Sequence, residues 1–318
     1  MFPWTGSDLF ATERLRRAAI VISLAAVFIC TTALCSVAQT DNAWSPLVDR
    51  LVQDGFDQKY VDSLFARSSL KFSPQIMARK MNSLLDIKLS TKKPGPRKEP
   101  EVMDRYLNPI LIAGAYGFYR EHRDDFAVIM KRYGVPGEVL TALLLVETKL
   151  GTQVGRHNAM TILSSMALAQ DFELIKPYIK NKDIAAQTME WLIGRTQQKA
   201  NWAYGELKSL ITYARKNGQD PLGIPSSMYG AIGQCQFIPS SAIHYGVDGS
   251  GDGRVNLFNT TDALHSMANF VRKHGWKSGL DRPAELKVIY RYNHSESYAL
   301  TIMAVADKIK KTNEFFGI

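Results

Sequence analysis

VPGEVLTALLLVETKLG, residues Val135–Gly151, is an apolar run closed by a single acid, Glu147. Pro136 suits a first helical turn, and Gly151 suits the position just past a last one. Between them Val139, Leu140, Leu143, Leu144 and Val146 leave little polar surface. The segment therefore predicts a mostly buried helix that carries its carboxylate inward near its C-terminal end. Burial disfavours the ionised form and can raise a carboxyl pKa by up to ~3–5 units. That is how a glutamic acid becomes a proton donor near neutral pH, and the negative end of the helix pushes the same way. The plainer alternative is a Glu147 turned to solvent and paired with Lys149 or a loop base.

Upstream, Tyr106–Tyr133 repeats aromatics and aliphatics at helical spacing, with Ile112, Tyr116, Tyr119, Phe126 and Ile129 expected in the core. Downstream, Asn158–Ala169 and Ile184–Lys216 are helical by pattern. No stretch alternates strongly enough to predict a strand, so the protein is expected to be mainly α. Nearer the N-terminus, three short helices are predicted from Ser45-Pro46, from Asp57 to Ala66, and from Ser73-Pro74 to about Leu85. Lys88–Glu101, KLSTKKPGPRKEPE, has the prolines and charge of an exposed linker. The expected organisation is thus 1–38, 39–87, a linker 88–101, and one domain over 102–318.

Length and composition limit the classes. A chain of 318 residues with 46% hydrophobic and 10% aromatic content can bury a full core. Its formal charge of +9 suggests a polyanionic neighbour: nucleic acid, anionic lipid or acidic cell-wall polymer. No zinc-finger spacing, homeodomain pattern or RNP-like aromatic motif is present, so no nucleic-acid partner is expected.

Glu13, Arg14, Arg16 and Arg17 precede an uncharged run from Ala18 to Leu34, followed by Ser36-Val37-Ala38. This is the pattern of an export signal cut after Ala38. Left uncut, the run offers membrane attachment, and Cys35 raises a lipid-anchor reading. Loss of residues 1–38 removes three arginines and two acids, which leaves +8. Cys235 is then the lone thiol, and the core rather than a crosslink must supply stability.

Three further stretches carry candidate chemistry. GQDPLGIPSSMYGAIGQCQFIP, Gly218–Pro239, is rich in glycine and offers Ser227, Gln234 and Gln236 as polar side chains. Its alternative reading is a connector whose glutamines bond its own backbone. In Asp248–Phe270, Asp248, Ser250 and Asp252 alternate, Gly253 permits a sharp turn, and Arg254 supplies a carbonyl. This is the first half of an EF-hand calcium loop. Asn259 stands where a bidentate acid should close it, and Asp262 could close a longer loop, 248–262. The alternative is a metal-free turn tied by Asx bonds. Finally, Pro283–Asn293 predicts a helix ending in Tyr292-Asn293, with Tyr298 shortly after. Such a cluster can form a sugar-binding edge, aromatic faces stacking on rings and amides bonding hydroxyls.

In order and spacing, these stretches resemble the lytic murein transglycosylase B family. The matching pieces are YGVPGEVLTALLLVETKLGTQVG (133–155), YGAIGQCQFIPSS (229–241), the VDGSGDGRVNLFNTTDA loop and RYNHSESYA (291–299), spread over most of residues 100–305. The resemblance implies an α+β, lysozyme-like fold around a glycan cleft. It also implies cleavage of the β-1,4 bond between N-acetylmuramic acid and N-acetylglucosamine to a 1,6-anhydro product. Glu147 would be the sole acid and base. Ser227, Gln236, Tyr292, Asn293, Tyr298 and Tyr106 would line the cleft, and Asp248, Ser250, Asp252, Arg254 and Asp262 would hold a structural Ca2+, with no organic cofactor.

The implied partner is peptidoglycan, met by a monomer exported to the periplasm or cell envelope. A hydrolytic muramidase and a silent wall-binding scaffold are the rivals. The chain departs from the family pattern in three places. Gln197-Gln198-Lys199 replaces a pair of arginines, Asp171–Arg195 looks inserted, and Met228 stands where a larger aromatic is expected.

Overall fold

The computed structural model describes residues 43–90, 99–181 and 183–316. The chain divides into Met1–Ser45, of which only 43–45 are described, and a compact unit Pro46–Ile318. The expected export segment, with its cleavage site and Cys35, lies outside the described residues.

The α-helices are α1 Ser45–Gln53, α2 Gln58–Phe65, α3 Pro74–Leu89, α4 Pro109–Glu121, α5 Arg123–Tyr133, α6 Gly137–Thr148, α7 Ala159–Leu168, α8 Ala186–Lys216, α9 Pro239–Tyr245, α10 Thr260–Lys273, α11 Arg282–Asn293 and α12 Glu296–Phe316. Their starts follow local chemistry. Asp57, Asn108, Asn158, Asn259 and Asp281 each accept a hydrogen bond from a first-turn amide of the helix they precede, which satisfies donors a helix cannot satisfy itself. The single helical pattern over 106–133 breaks into α4 and α5 at His122, and α5 ends on Gly134 in the left-handed region, φ 69°. The mainly α expectation holds.

α6 is the hub. Val139 through Leu145 are all buried, and the helix packs on α4, α5, α10 and α12. A helix apolar all round is stable only when enclosed on every side. A second group forms around α8, which packs against α7, α3 and α9. The N-terminal helices therefore belong to this group and not to a segment set apart by the linker. Arg67 bridges to Asp220 at 2.7 Å, and the Tyr204 hydroxyl donates to the Arg50 carbonyl at 3.0 Å. α3 also continues through Leu89, into the expected linker. The linker's far end is pinned to α12, Glu101 N donating to Ser297 Oγ and Met103 N to Thr301 Oγ1. Residues 91–98 lie outside the described residues.

One feature has no signal in the sequence. β1 His157–Asn158 pairs antiparallel with β2 Pro225–Ser226, His157 opposite Ser226, and bridges Ser226–Ile232 and Ile232–Phe237 extend the pairing. Two-residue strands are too short to show alternation. Gly155, at φ 101°, makes the pairing possible, because a Cβ there would lie 2.2 Å from the Ser226 carbonyl oxygen.

Candidate functional site at the end of the central helix

The sequence puts Gly151 just past the end of α6; the structure ends the helix at Thr148. Lys149, Leu150 and Gly151 follow at φ 50°, 60° and 81°, three successive left-handed residues. Leu150 N donates to Leu144 O, so Lys149 fills the left-handed capping position usually given to glycine. Such a run of non-glycine residues is strained and persists only where the surroundings hold it. The Thr148 hydroxyl supplies the hold: it donates to Gln234 O at 2.9 Å and accepts from Gly151 N at 3.0 Å. Gln234 in turn donates its side-chain amide to Phe258 O and Thr260 Oγ1. Its Oε1 is buried without a partner, and it lies so close to Gly151 that a Cβ there would be 2.8 Å away.

This clamp fixes the neighbouring residue, Glu147. Its side chain is half-buried and does not swing out to the exposed Lys149. Glu147 Oε1 accepts a 2.6 Å hydrogen bond from the Tyr298 hydroxyl, delivered by the first turn of α12. Burial raises the Glu147 pKa to about 7, while the Tyr298 bond pulls the other way. Burial wins because taking a carboxylate out of water costs more than one donor returns. Among the described residues, no second carboxylate contributes to the shift.

Tyr298 and Tyr292 are stacked, ring centroids 6.4 Å apart and planes 11° from parallel, and the Tyr292 hydroxyl donates to Cys235 O at 2.7 Å. Burial holds both phenols well above their ordinary pKa, so each remains a donor. The Cys235 thiol is pushed up to about 12 by burial, which makes it an inert core residue.

The other expected site residues divide. Tyr298 is expected as a sugar platform; at 3% exposure its face is buried, and its hydroxyl donates to Glu147. Tyr292 likewise turns its hydroxyl inward, whereas Asn293 is exposed. Tyr106 sits in a 3-10 turn, Asp104–Tyr106, near enough to Tyr298 to raise its pKa. Ser227 Oγ accepts from Tyr229 N and Ala231 N, and Gln236, at φ 49°, donates to Val154 O and Gly233 O. Both side chains thus shape the glycine-rich loop, with Met228 exposed at its tip.

No sequence signal ties Tyr298 to Glu147 or Thr148 to Gln234. Both pairings cross more than eighty residues and depend on how α12 and the loop pack against α6.

The 248–262 loop is dense in Asx-type bonds. Asp248 accepts from Ser250 Oγ and from the amides of Gly251, Asp252 and Gly253; Asp252 accepts from Arg254 N. The donor set suits a hard cation, since Asp248, Ser250, Asp252 and the Arg254 carbonyl all offer oxygen. Ser250 Oγ and Asp248 Oδ1 already converge at 3.3 Å. Asp262 does not join them as expected. It is fully buried beneath the loop, with its oxygens taken by the amides of Gly249, Ser250 and Asn256. No three acidic, histidine or cysteine side chains converge as a metal cluster among the described residues.

The profile of the transglycosylase SLT domain matches residues 39–286. The chain belongs to this family. Among curated proteins, it is 26% identical over 241 residues to membrane-bound lytic murein transglycosylase B of Escherichia coli (strain K12), an alignment covering 73% of this chain. It spans 57% of that protein's length.

Solved transglycosylase structures share the fold. The Escherichia coli lytic transglycosylase SLT35 in complex with calcium superposes with a TM-score of 0.64 at 21% identity, over 87% of this chain and 95% of that one. SltB1 from Pseudomonas aeruginosa gives 0.65 at 22% identity, over 86% and 99%. SltB3 from the same organism, in complex with NAG-NAM-pentapeptide, gives 0.61 at 18% identity, over 86% and 80%. In this chain the shared fold sets Glu147 at the end of the central helix.

Proposed function

We propose that the chain is a peptidoglycan lytic transglycosylase in which Glu147 serves as both acid and base. The observation that carries this is a carboxyl held near a pKa of about 7 by burial, touched by Tyr298 and, among the described residues, by no second carboxylate. Near neutral pH such a group is protonated often enough to give up its proton and ionised often enough to take one back.

Glu147 first protonates the oxygen bridging N-acetylmuramic acid and N-acetylglucosamine. As carboxylate, it then takes the proton of the muramyl C6 hydroxyl while that oxygen attacks C1, closing a 1,6-anhydro ring. The nucleophile is already tethered to the sugar, and intramolecular placement replaces a positioned water. A hydrolase instead needs a second carboxylate about 5–9.5 Å away. Tyr298 keeps its donor throughout and steadies the ionised form. Asn293, Ser227, Gln236 and Tyr106 are assigned to the cleft, and Tyr292 supports Tyr298 from behind.

Mass spectrometry of digested wall tests the reaction. The expected product is an anhydromuropeptide, lighter by one water than the hydrolysed form; hydrolysed product alone, or binding with no soluble product, would reject it.

Calcium is proposed for the 248–262 loop, with Asp248, Ser250, Asp252 and the Arg254 carbonyl as the oxygen set. The chemistry of these donors and the calcium in the SLT35 structure support it. The ion would brace the loop on which Gln234 and the end of α6 lean. An envelope location follows from the substrate and the predicted export signal. No helix among the described residues is long and apolar enough to cross a membrane.

A further inference from the structure

α3 and the N-terminal half of α8 lie side by side and carry a strip of cations and aromatic rings that the glycan chemistry does not use. Lys88 Nζ sits 4.8 Å over the Trp191 ring, and the Arg195 guanidinium approaches the same ring at 5.8 Å. One turn along α8, Lys199 lies 5.5 Å over Trp202; across on α3, Lys80 lies 4.8 Å over Tyr229. Burial, then Lys80 and Arg195, lower the pKa of Lys199, so the cations are close enough to repel one another.

Among the described residues, no carboxylate forms an ion pair with Lys80, Lys88, Arg195 or Lys199. Beside Trp191, Arg195 donates to the neutral Gln198 side-chain oxygen, 2.7 Å away. The acids on these two helical stretches, Asp86 and Glu190, are exposed and unpaired with them. At the end of α3, Ile87 is 73% and Leu89 40% exposed on either side of Lys88.

Unneutralised cations, tryptophans and solvent-facing aliphatics along these two helices are the composition of a protein surface that rests on lipid. Lysine and arginine meet anionic headgroups, indole rings sit at headgroup level, and aliphatic side chains enter the acyl boundary. An acidic peptide or glycan would neutralise the cations but give Ile87 and Leu89 no apolar surface to cover.

We infer that the α3–α8 face docks on an anionic lipid surface through Lys80, Lys88, Arg195 and Lys199, with Ile87 and Leu89 inserted. This docking does not depend on the glycan chemistry proposed for Glu147.

Cosedimentation of the full chain with vesicles tests the inference, comparing phosphatidylglycerol–phosphatidylcholine with pure phosphatidylcholine. The readout is the ratio of the two affinities, because an N-terminal apolar segment would add to both alike. The expected result is a strong anionic preference that weakens with salt. In Lys88→Glu/Arg195→Glu/Lys199→Glu, that preference falls on the order of a hundredfold, with melting temperature and muropeptide release retained. Ile87→Ser/Leu89→Ser should weaken binding to the anionic vesicles and leave its salt dependence in place. Lys88→Glu alone, at an exposed position, keeps the test informative should the triple variant misfold.

An affinity ratio near one, or a triple variant with unchanged preference, overturns the inference. So does a triple variant that keeps its vesicle preference and loses binding to peptide-bearing glycan strands, which would assign the cations to wall carboxylates.

Discussion

Replacing Glu147 by Gln should make the protein more stable as it inactivates it, and the gain should depend on pH. In the folded chain the carboxyl titrates at about 7 instead of the ordinary 4.5. The folded state therefore holds a proton that the unfolded chain has already released between these values. For a group whose folded pKa is raised this way, stability falls as pH climbs from the lower value to the higher and stays reduced above it. At about 1.4 kcal/mol per pH unit, the cost at pH 8 is on the order of 3 kcal/mol. The glutamine amide of the variant stays neutral and can still accept from Tyr298, so the cost disappears. At pH 4 the two proteins should melt together. At pH 8 the variant should melt higher, by roughly 5 °C or more for a domain of this size. Thermal melts at half-unit steps from pH 4 to 9 read the effect directly, with anhydromuropeptide release followed on the same samples. Melting curves that run parallel across this range would refute the account of Glu147 as a desolvated acid, whatever the activity did.

Tyr298→Phe removes the hydroxyl that steadies the Glu147 carboxylate; the pH profile of kcat should shift its transition for Glu147 upward and the maximum rate should fall, whereas a purely structural role would leave the profile in place. Thr148→Val strips the clamp from Gln234 O and Gly151 N, and denaturant unfolding should register a loss of about 1–3 kcal/mol. Calcium should raise the melting temperature of metal-stripped protein and a chelator should reverse the gain; an unchanged melt together with no calcium by elemental analysis would discard that part of the proposal.

The residues show how far a sequence carries such a reading. Glu147 stands out because one acid in an otherwise apolar helix is a local contradiction, and local contradictions tend to mark sites. The helix starts at Asp57 and Asn158 are legible, because those side chains act within three residues; the caps at Asn108, Asn259 and Asp281 appear only in the structure. Helix ends are harder. Gly151 is the expected stop of α6, but Lys149 and Leu150 take the left-handed conformation first, because the Thr148–Gln234 contact compensates for the strain. Tyr298 is legible as a site residue and not as what it is, since a tyrosine near a cleft can face either way.

Taken alone, the order of residues dictates the mainly helical class, the buried character of α6 and the presence of an isolated acid within it. All of these follow from periodicity and burial tendencies, which act over a few turns of chain. Only the assembled molecule brings a phenol 151 residues away to Glu147, sets Asp262 beneath its loop, and lays Lys88 of α3 over Trp191 of α8. Those outcomes depend on how separate helices dock, and docking is set by shape and volume summed over a whole core, a quantity no short stretch of residues contains.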